Sequence, residues 1–243
     1  MLEDLADLFK SDTIKPTFEN VHVILALFIF EENINGIGRY RLEKELLIGS
    51  GTAKSLIKRL NEKINFISVL NENIRKGHVL TEKGLNFVKK IKQKIPFIME
   101  GDISILQDTI IDSKNVRVIY CLIKNSSDKL TNGIEQRDAA IKVGGLGATC
   151  LVYDGQKLIF PSGYAINSEQ ANSIVDENIY EYFEREINSL DLKLEMNDVI
   201  IIGLDENLKR ARLAAVNAAL TLFWIKDNRR KIDEIPKGYK NYH

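Results

Sequence analysis

The sequence predicts an α+β protein, with an N-terminal winged helix-turn-helix domain followed by a C-terminal α/β sandwich domain. Three observations predict it. Arg39 to Leu80 reads as a helix, a glycine turn, a second helix and a two-stranded wing. Beyond Pro96 the pattern changes from a helical period to alternating strands and helices. The charge is also unevenly placed in a chain that is neutral overall: residues 31–95 carry 14 Lys+Arg against 7 Asp+Glu, whereas residues 96–243 carry 18 against 22. Positive charge gathered on one section is the electrostatic footprint of a nucleic-acid binder. The expected division is an N-terminal amphipathic segment over 1–19, a DNA-binding head over 20–96 and a sensing or dimerising domain over 101–243.

Leu2, Leu5, Leu8 and Phe9 fall on one side of a short amphipathic segment, which either packs on the head or contributes to a dimer contact. Asn20 to Glu31 is the first core helix, with Val21, Ile24, Leu25 and Phe28 inward. Its apolar run, Val21 to Phe30, is too short to span a bilayer. Ile37 to Arg39 is placed to pair with the wing. Tyr40 to Leu47 is rich in helix formers and offers Leu42, Leu46 and Leu47 to one face. Ile48-Gly49-Ser50-Gly51 breaks it, because glycine reaches backbone angles closed to other residues, and Ser50 can cap the next helix.

In the second helix Ala53, Leu56, Ile57 and Leu60 sit at i, i+3, i+4 and i+7, one buried stripe. Thr52, Lys54, Ser55 and Lys58 are left outside, hydroxyls and cations that suit base edges and phosphates. Phe66 to Leu70 and His78 to Leu80 are the strands of the wing, joined by a polar loop that carries Arg75 and Lys76. Thr81 caps a helix running to Lys94, with Leu85, Val88 and Ile91 inward. A recognition helix in this setting enters the major groove. The expected contacts with double-stranded DNA are Arg39, Arg41, Ser50, Thr52, Lys54, Ser55, Lys58, Arg59, Arg75, Lys76 and His78.

Pro96 disfavours helix in the residue before it, which places the boundary between the two sections near Pro96 to Gly101. Asn115 to Ile123 is a strand rich in β-branched residues, and Asn132 to Lys142 a short helix. Ala148 to Tyr153 and Lys157 to Phe160 flank Asp154-Gly155, a hairpin signal. Ser168 to Leu190 reads as an acidic helix. Asp198 to Gly203 is a continuous apolar strand of the kind buried on both faces. Asp205 opens a helix from Glu206 to Ile225 whose Leu208, Ala211, Ala215, Ala218, Ala219 and Leu222 face inward, the alanines suiting close approach to a sheet.

Arg137-Asp138-Ala140-Ile141, the Gly147-Ala148 step, Phe160-Pro161 and the Asp198 strand with its alanine-rich helix carry a resemblance. Together with the head they resemble an archaeal family of winged-helix transcription regulators whose C-terminal half is a domain of unknown function. The resemblance covers roughly residues 20–95 and 115–225. It implies DNA binding and an archaeal source, and it brings no ligand or reaction.

Little else in the chain asks for chemistry. Val143 to Ala148, with Gly144, Gly145 and Gly147, could present backbone N–H groups to an anion. It lacks the Lys-Ser or Lys-Thr of a P-loop and precedes a strand instead of following one. A tight helix-to-strand connection is the favoured reading of it, because glycine so often merely ends a helix. With Arg137 as a fork of donors, these glycines form the candidate site for a small anionic effector, against the plainer reading of Arg137 as surface charge. His22, His78 and His243 stand apart with no metal-ligand spacing, and there is no nucleophile elbow or paired-carboxylate motif, so neither a metal, a cofactor nor a catalytic residue is assigned. Cys121 and Cys150 lie in separate apolar runs and read as buried thiols, which with the acidic N-terminus MLEDLADLF points to the cytoplasm and away from the membrane. The expected function is sequence-specific transcription regulation by a homodimer. The alternatives are a small-molecule kinase-like enzyme with a regulatory head, or a winged helix used for protein contact.

Overall fold

The head is built around one helix that is apolar on every side. The computed structural model describes residues 2–11, 15–69, 77–110, 115–161 and 174–223. A 3-10 turn over Leu2–Leu5 leads into α1 (Ala6–Phe9), and Leu5 and Leu8 are buried in the core of the head. Packing on the head is therefore the arrangement seen for this segment. In α2 (Asn20–Glu32), Val21 and the unbroken run Val23 to Phe30 are buried. A helix apolar all round must be covered on every side, and this one is enclosed by α1, the rest of the head and a helix of the C-terminal half.

Helix α3 (Arg39–Leu46) ends because Leu47 adopts a left-handed conformation (φ 53°), which turns its side chain outward; Leu47 is exposed and not part of the inner face. Gly49, not Ser50, takes the cap position of α4 (Ser50–Glu62), and no side chain caps that end. The expected stripe Ala53, Leu56, Ile57 and Leu60 is buried. Strands β1 (Ile67–Val69) and β2 (His78–Leu80) pair antiparallel, and Ile37 bridges to His78 through both backbone hydrogen bonds. Helix α5 (Glu82–Lys92) is capped by the Thr81 hydroxyl, which accepts from Gly84 N–H. Its buried residues are Gly84, Phe87, Val88 and Ile91; Leu85 lies off that stripe and is exposed, a correction to its expected inward position. The expected wing loop with Arg75 and Lys76 lies outside the described residues.

The expected boundary contains a strand. β3 (Ile98–Glu100) pairs antiparallel with the next long strand, so the two sections are stitched by backbone hydrogen bonds. After α6 (Ile103–Leu106) come β4 (Arg117–Ile123), α7 (Ile134–Lys142), β5 (Gly147–Tyr153), β6 (Leu158–Ile159), α8 (Glu177–Asn188), β7 (Val199–Asp205) and α9 (Leu208–Leu220). The sheet order is β3-β4-β7-β5-β6, antiparallel throughout. The Asp154 carboxylate accepts from Gln156 and Lys157 N–H and fixes the expected hairpin. α7 and α9 cover one face of the sheet, α6 and α8 the other. Central β7 is thus buried on both faces, as its apolar run predicts, although its neighbours are antiparallel.

Three helix starts fall later than expected, α7 beginning at Ile134 and not at Asn132. α8 begins after Asp176, whose carboxylate accepts from Asn178 N–H, so the residues just before it are not helical. Asp205 ends β7, and it is Asn207 that caps α9, accepting from Lys209 and Arg210 N–H. Among the described residues no helix is long and apolar enough to cross a membrane.

α9 is a wall shared by both halves. Ala211, Ala214, Ala215, Ala218 and Ala219 face the sheet, where Gly203 of β7 leaves room: a Cβ there would stand 2.3 Å from Ala215 N and 2.6 Å from Ala211 O. Leu213, Val216 and Leu220 look the other way and complete the core around α2. Three ion pairs flank this contact: Glu19–Lys142 at 2.9 Å, Glu45–Lys209 at 3.3 Å and Glu32–Arg212 at 3.8 Å. In each, the acid belongs to the head and the cation to the C-terminal half.

Candidate nucleic-acid interface

The outward face of α4 is set by its buried stripe. Gly51, Lys54 and Lys58 are exposed there, with Thr52 and Ser55 half-buried beside them. Lys54 has no ion-pair or hydrogen-bond partner among the described residues. Lys58 leans on Glu62 at 3.8 Å, a solvent-exposed i,i+4 pair of at most ~0.5 kcal/mol that a phosphate can replace. Ser50 is exposed on the first turn, and Arg41 is exposed on α3. Thr52 is partly engaged, its hydroxyl 2.7 Å from that of Thr17.

Other expected contacts are held inside the molecule. Arg39 lies 3.2 Å from Glu43 and stacks its guanidinium over the Tyr40 ring at 4.9 Å. The Glu43 oxygen it approaches receives no well-aligned hydrogen bond, so that pair is Coulombic. Arg59 donates to the Leu8 and Lys10 carbonyls at 2.7 and 3.0 Å, and Lys63 donates to Lys10 at 2.6 Å. These two cations pin the N-terminal segment to α4, a role with no local signal because donor and acceptors are about fifty residues apart in the chain.

His78 sits half-buried on β2 with its Nδ1 unpartnered, and burial pushes its pKa down. It is therefore neutral at pH 7 and offers no charge to a phosphate. His22 is also pushed down, first by burial, against the pull of Glu19. Its Nδ1 accepts from Glu19 N–H at 2.9 Å while the Glu19 carboxylate accepts from His22 N–H, closing a reciprocal cap on α2. Both imidazoles are harder to protonate folded than unfolded, so below the ordinary value of 6.5 the unfolded chain takes up more protons and stability falls. Thermal unfolding from pH 8 to 5.5 is expected to give a flat Tm at the alkaline end and a decline through the range below about 6.5, shallower in His22→Asn. A profile that stays flat to pH 5.5 would contradict this placement of the two rings.

The second expected site assembles only in part. Gly144 (φ 88°) and Gly145 close α7, their N–H groups bonded to the Ile141 and Ala140 carbonyls at 2.9 and 3.1 Å, and Leu146 N–H is bonded to Leu204. Those amides are occupied by the helix-to-strand connection. Gly145 is required there because a Cβ would meet that of Ala214 at 2.6 Å. Arg137 donates to Asp138 at 3.0 and 3.2 Å and stands beside Gly147 only, over a cleft of about 210 Å3 shared with Asn132, Phe160 and Pro161. Cys121 and Cys150 are free and buried, and burial raises both thiols, Cys150 to about 12, so they stay protonated. Among the described residues no group of three or more His, Cys, Asp and Glu could hold a metal ion.

Sequence reasoning missed a larger cleft, of about 670 Å3, where Phe9, Phe18 and Glu19 of the head meet Lys142 and Leu220 of the C-terminal half. Its walls come from chain positions too distant for any periodicity to connect.

Residues 114–222 match a family described as Domain of unknown function (DUF4443). The match runs from the start of β4 to α9 and leaves out the head. None of the curated proteins matches the sequence. A hypothetical protein from Pyrococcus horikoshii OT3 has a similar structure: TM-score 0.60 and 23% identity, over 84% of this chain and 93% of that one. The likeness is one of fold, and it takes in both halves.

Proposed function

We propose that residues 20–95 form a winged helix that binds double-stranded DNA through α4 and the wing, and that the chain is a transcription regulator. The observation that carries this reading is the outward face of α4, where Lys54 and Lys58 project free or weakly paired beside Ser55 and Gly51. Glycine and serine let a base edge come close, while the two lysines are spaced one helical turn apart for phosphates. The head's Glu19, Glu32 and Glu45 are neutralised on the side toward the C-terminal half. With those acids paired, the cations of the head are less offset by its own carboxylates. Paired as a homodimer, two such heads would read two half-sites about one helical turn apart.

Binding of the purified protein to DNA selected from genomic fragments tests this. Changing Lys54 and Lys58 together to Ala is expected to reduce the salt slope by about two and affinity at least tenfold, with Tm unchanged because both side chains are solvated. If slope and affinity stay as in the parent, α4 is not the reading helix. Light scattering is expected to show a dimer at micromolar concentration or on DNA, and a monomer under both conditions removes the dimer.

A further inference from the structure

We infer that the cleft between the two halves binds an α-amino acid with a bulky apolar side chain. Its volume of about 670 Å3 lies within the range of small-molecule sites. Part of its lining is apolar: the Phe9 and Phe18 rings, tilted with centroids 5.5 Å apart, and Leu220 of α9. The lining also carries both signs of charge, Glu19 and Lys142, joined at 2.9 Å.

Both charges sit where a helix terminus favours them. Glu19 is at the N-terminus of α2 and Lys142 in the last turn of α7, so each is supported by its own macrodipole when the pair opens. A ligand with one charge would take one partner and leave the other to water alone. A zwitterion takes both, its ammonium on Glu19 and its carboxylate on Lys142, and its side chain then reaches the aromatic wall. Asn217 adds selectivity for a polar backbone: its Nδ2 is committed to the Ala139 carbonyl at 2.7 Å, which leaves Oδ1 to accept a hydrogen bond.

The site draws on head and C-terminal half together, so its occupancy favours one seating of the head on α9. The regulatory consequence rests on the DNA-binding reading proposed for α4. An amino acid that binds one seating more tightly changes DNA affinity, and DNA changes amino-acid affinity by the same factor.

Calorimetric titration of the full chain with L-phenylalanine and L-leucine, without DNA, tests the site. Saturable one-to-one binding of either is expected. Phenethylamine and 3-phenylpropionate, each lacking one charge, should bind at least tenfold more weakly. Lys142→Met should cost at least tenfold. Ala139→Trp, which fills the cleft from a half-exposed position, should abolish binding while the Tm of the free protein is retained. The site is refuted if neither amino acid titrates up to millimolar concentration, if the singly charged analogues bind equally well, or if Ala139→Trp binds as the parent does. Amino-acid binding without DNA binding would keep the site and remove the regulator. DNA binding without amino-acid binding would do the reverse.

Discussion

Gly203→Ala is expected to lower the unfolding free energy by about 3 kcal/mol, at the upper end of the usual cost of overpacking. The added methyl would stand 2.3 Å from Ala215 N and 2.6 Å from Ala211 O. Both are backbone atoms of α9, so no rotamer change relieves the contact. The whole helix must lift off β7, and with it Leu213, Val216 and Leu220, which complete the core of the head. Calorimetry should therefore show a Tm lower by ~6–12 °C for a chain of this size. A single lowered transition is expected, because α9 belongs to both cores. Gly203→Val should leave no folded protein to measure. If Gly203→Ala melts within about 2 °C of the parent, the close seating of α9 on the sheet is not as described.

The second large effect is expected at Asp198. This carboxylate is 1% exposed and fully used: it accepts from Lys124 Nζ at 2.7 Å, Asn125 N–H at 2.9 Å and Glu195 N–H at 2.9 Å. Burial alone would make the Lys124 ammonium easier to deprotonate; its bonds to Asp198 and Glu195 outweigh that and raise its pKa. Asp198→Ala leaves the Asn125 and Glu195 N–H groups without their acceptor and Lys124 with only the Glu195 carboxylate and the Lys193 carbonyl, which costs about 3 kcal/mol. Replacing both partners, as Lys124→Met with Asp198→Leu, should cost less than Asp198→Ala, since no ammonium is left short of a partner, although the two amides stay unpaired. Urea unfolding of the three proteins decides it. A loss below about 1 kcal/mol for Asp198→Ala would mean that the pair is not the clasp at this end of the sheet.

What could be read from the sequence was whatever depends on near neighbours. The stripe of α4, the Thr81 cap, the Asp154-Gly155 hairpin and the apolar run of β7 each declare themselves within a few residues. The alanines of α9 announced close packing, and Gly203 supplies the other half of that fit. What was not legible depends on distant partners. Val23, Leu27 and Phe30 exceed what a head core of its own would need, because their cover includes α9, far along the chain. Arg59 has the composition of a phosphate contact, yet two carbonyls of the N-terminal segment occupy it. The amides of Gly144 and Gly145 could have faced an anion or closed a helix, and only the positions of Ile141 and Ala140 decide between them. Glu19 and Lys142 likewise lie more than a hundred residues apart, so nothing in either stretch points to the other.

The sharing of α9 also bears on how the protein is made. The ribosome delivers α2 with its apolar circumference long before Leu213, Val216 and Leu220 leave the exit tunnel. Until then the nascent head has an open flank of aliphatic side chains and must wait, shielded by chaperones or loosely collapsed, for more than a hundred residues of further translation. Domains that carry their own cores usually fold as they emerge; this one is kept incomplete until the sheet and its covering helix exist. A chain whose synthesis stops early therefore yields a sticky fragment instead of a finished head.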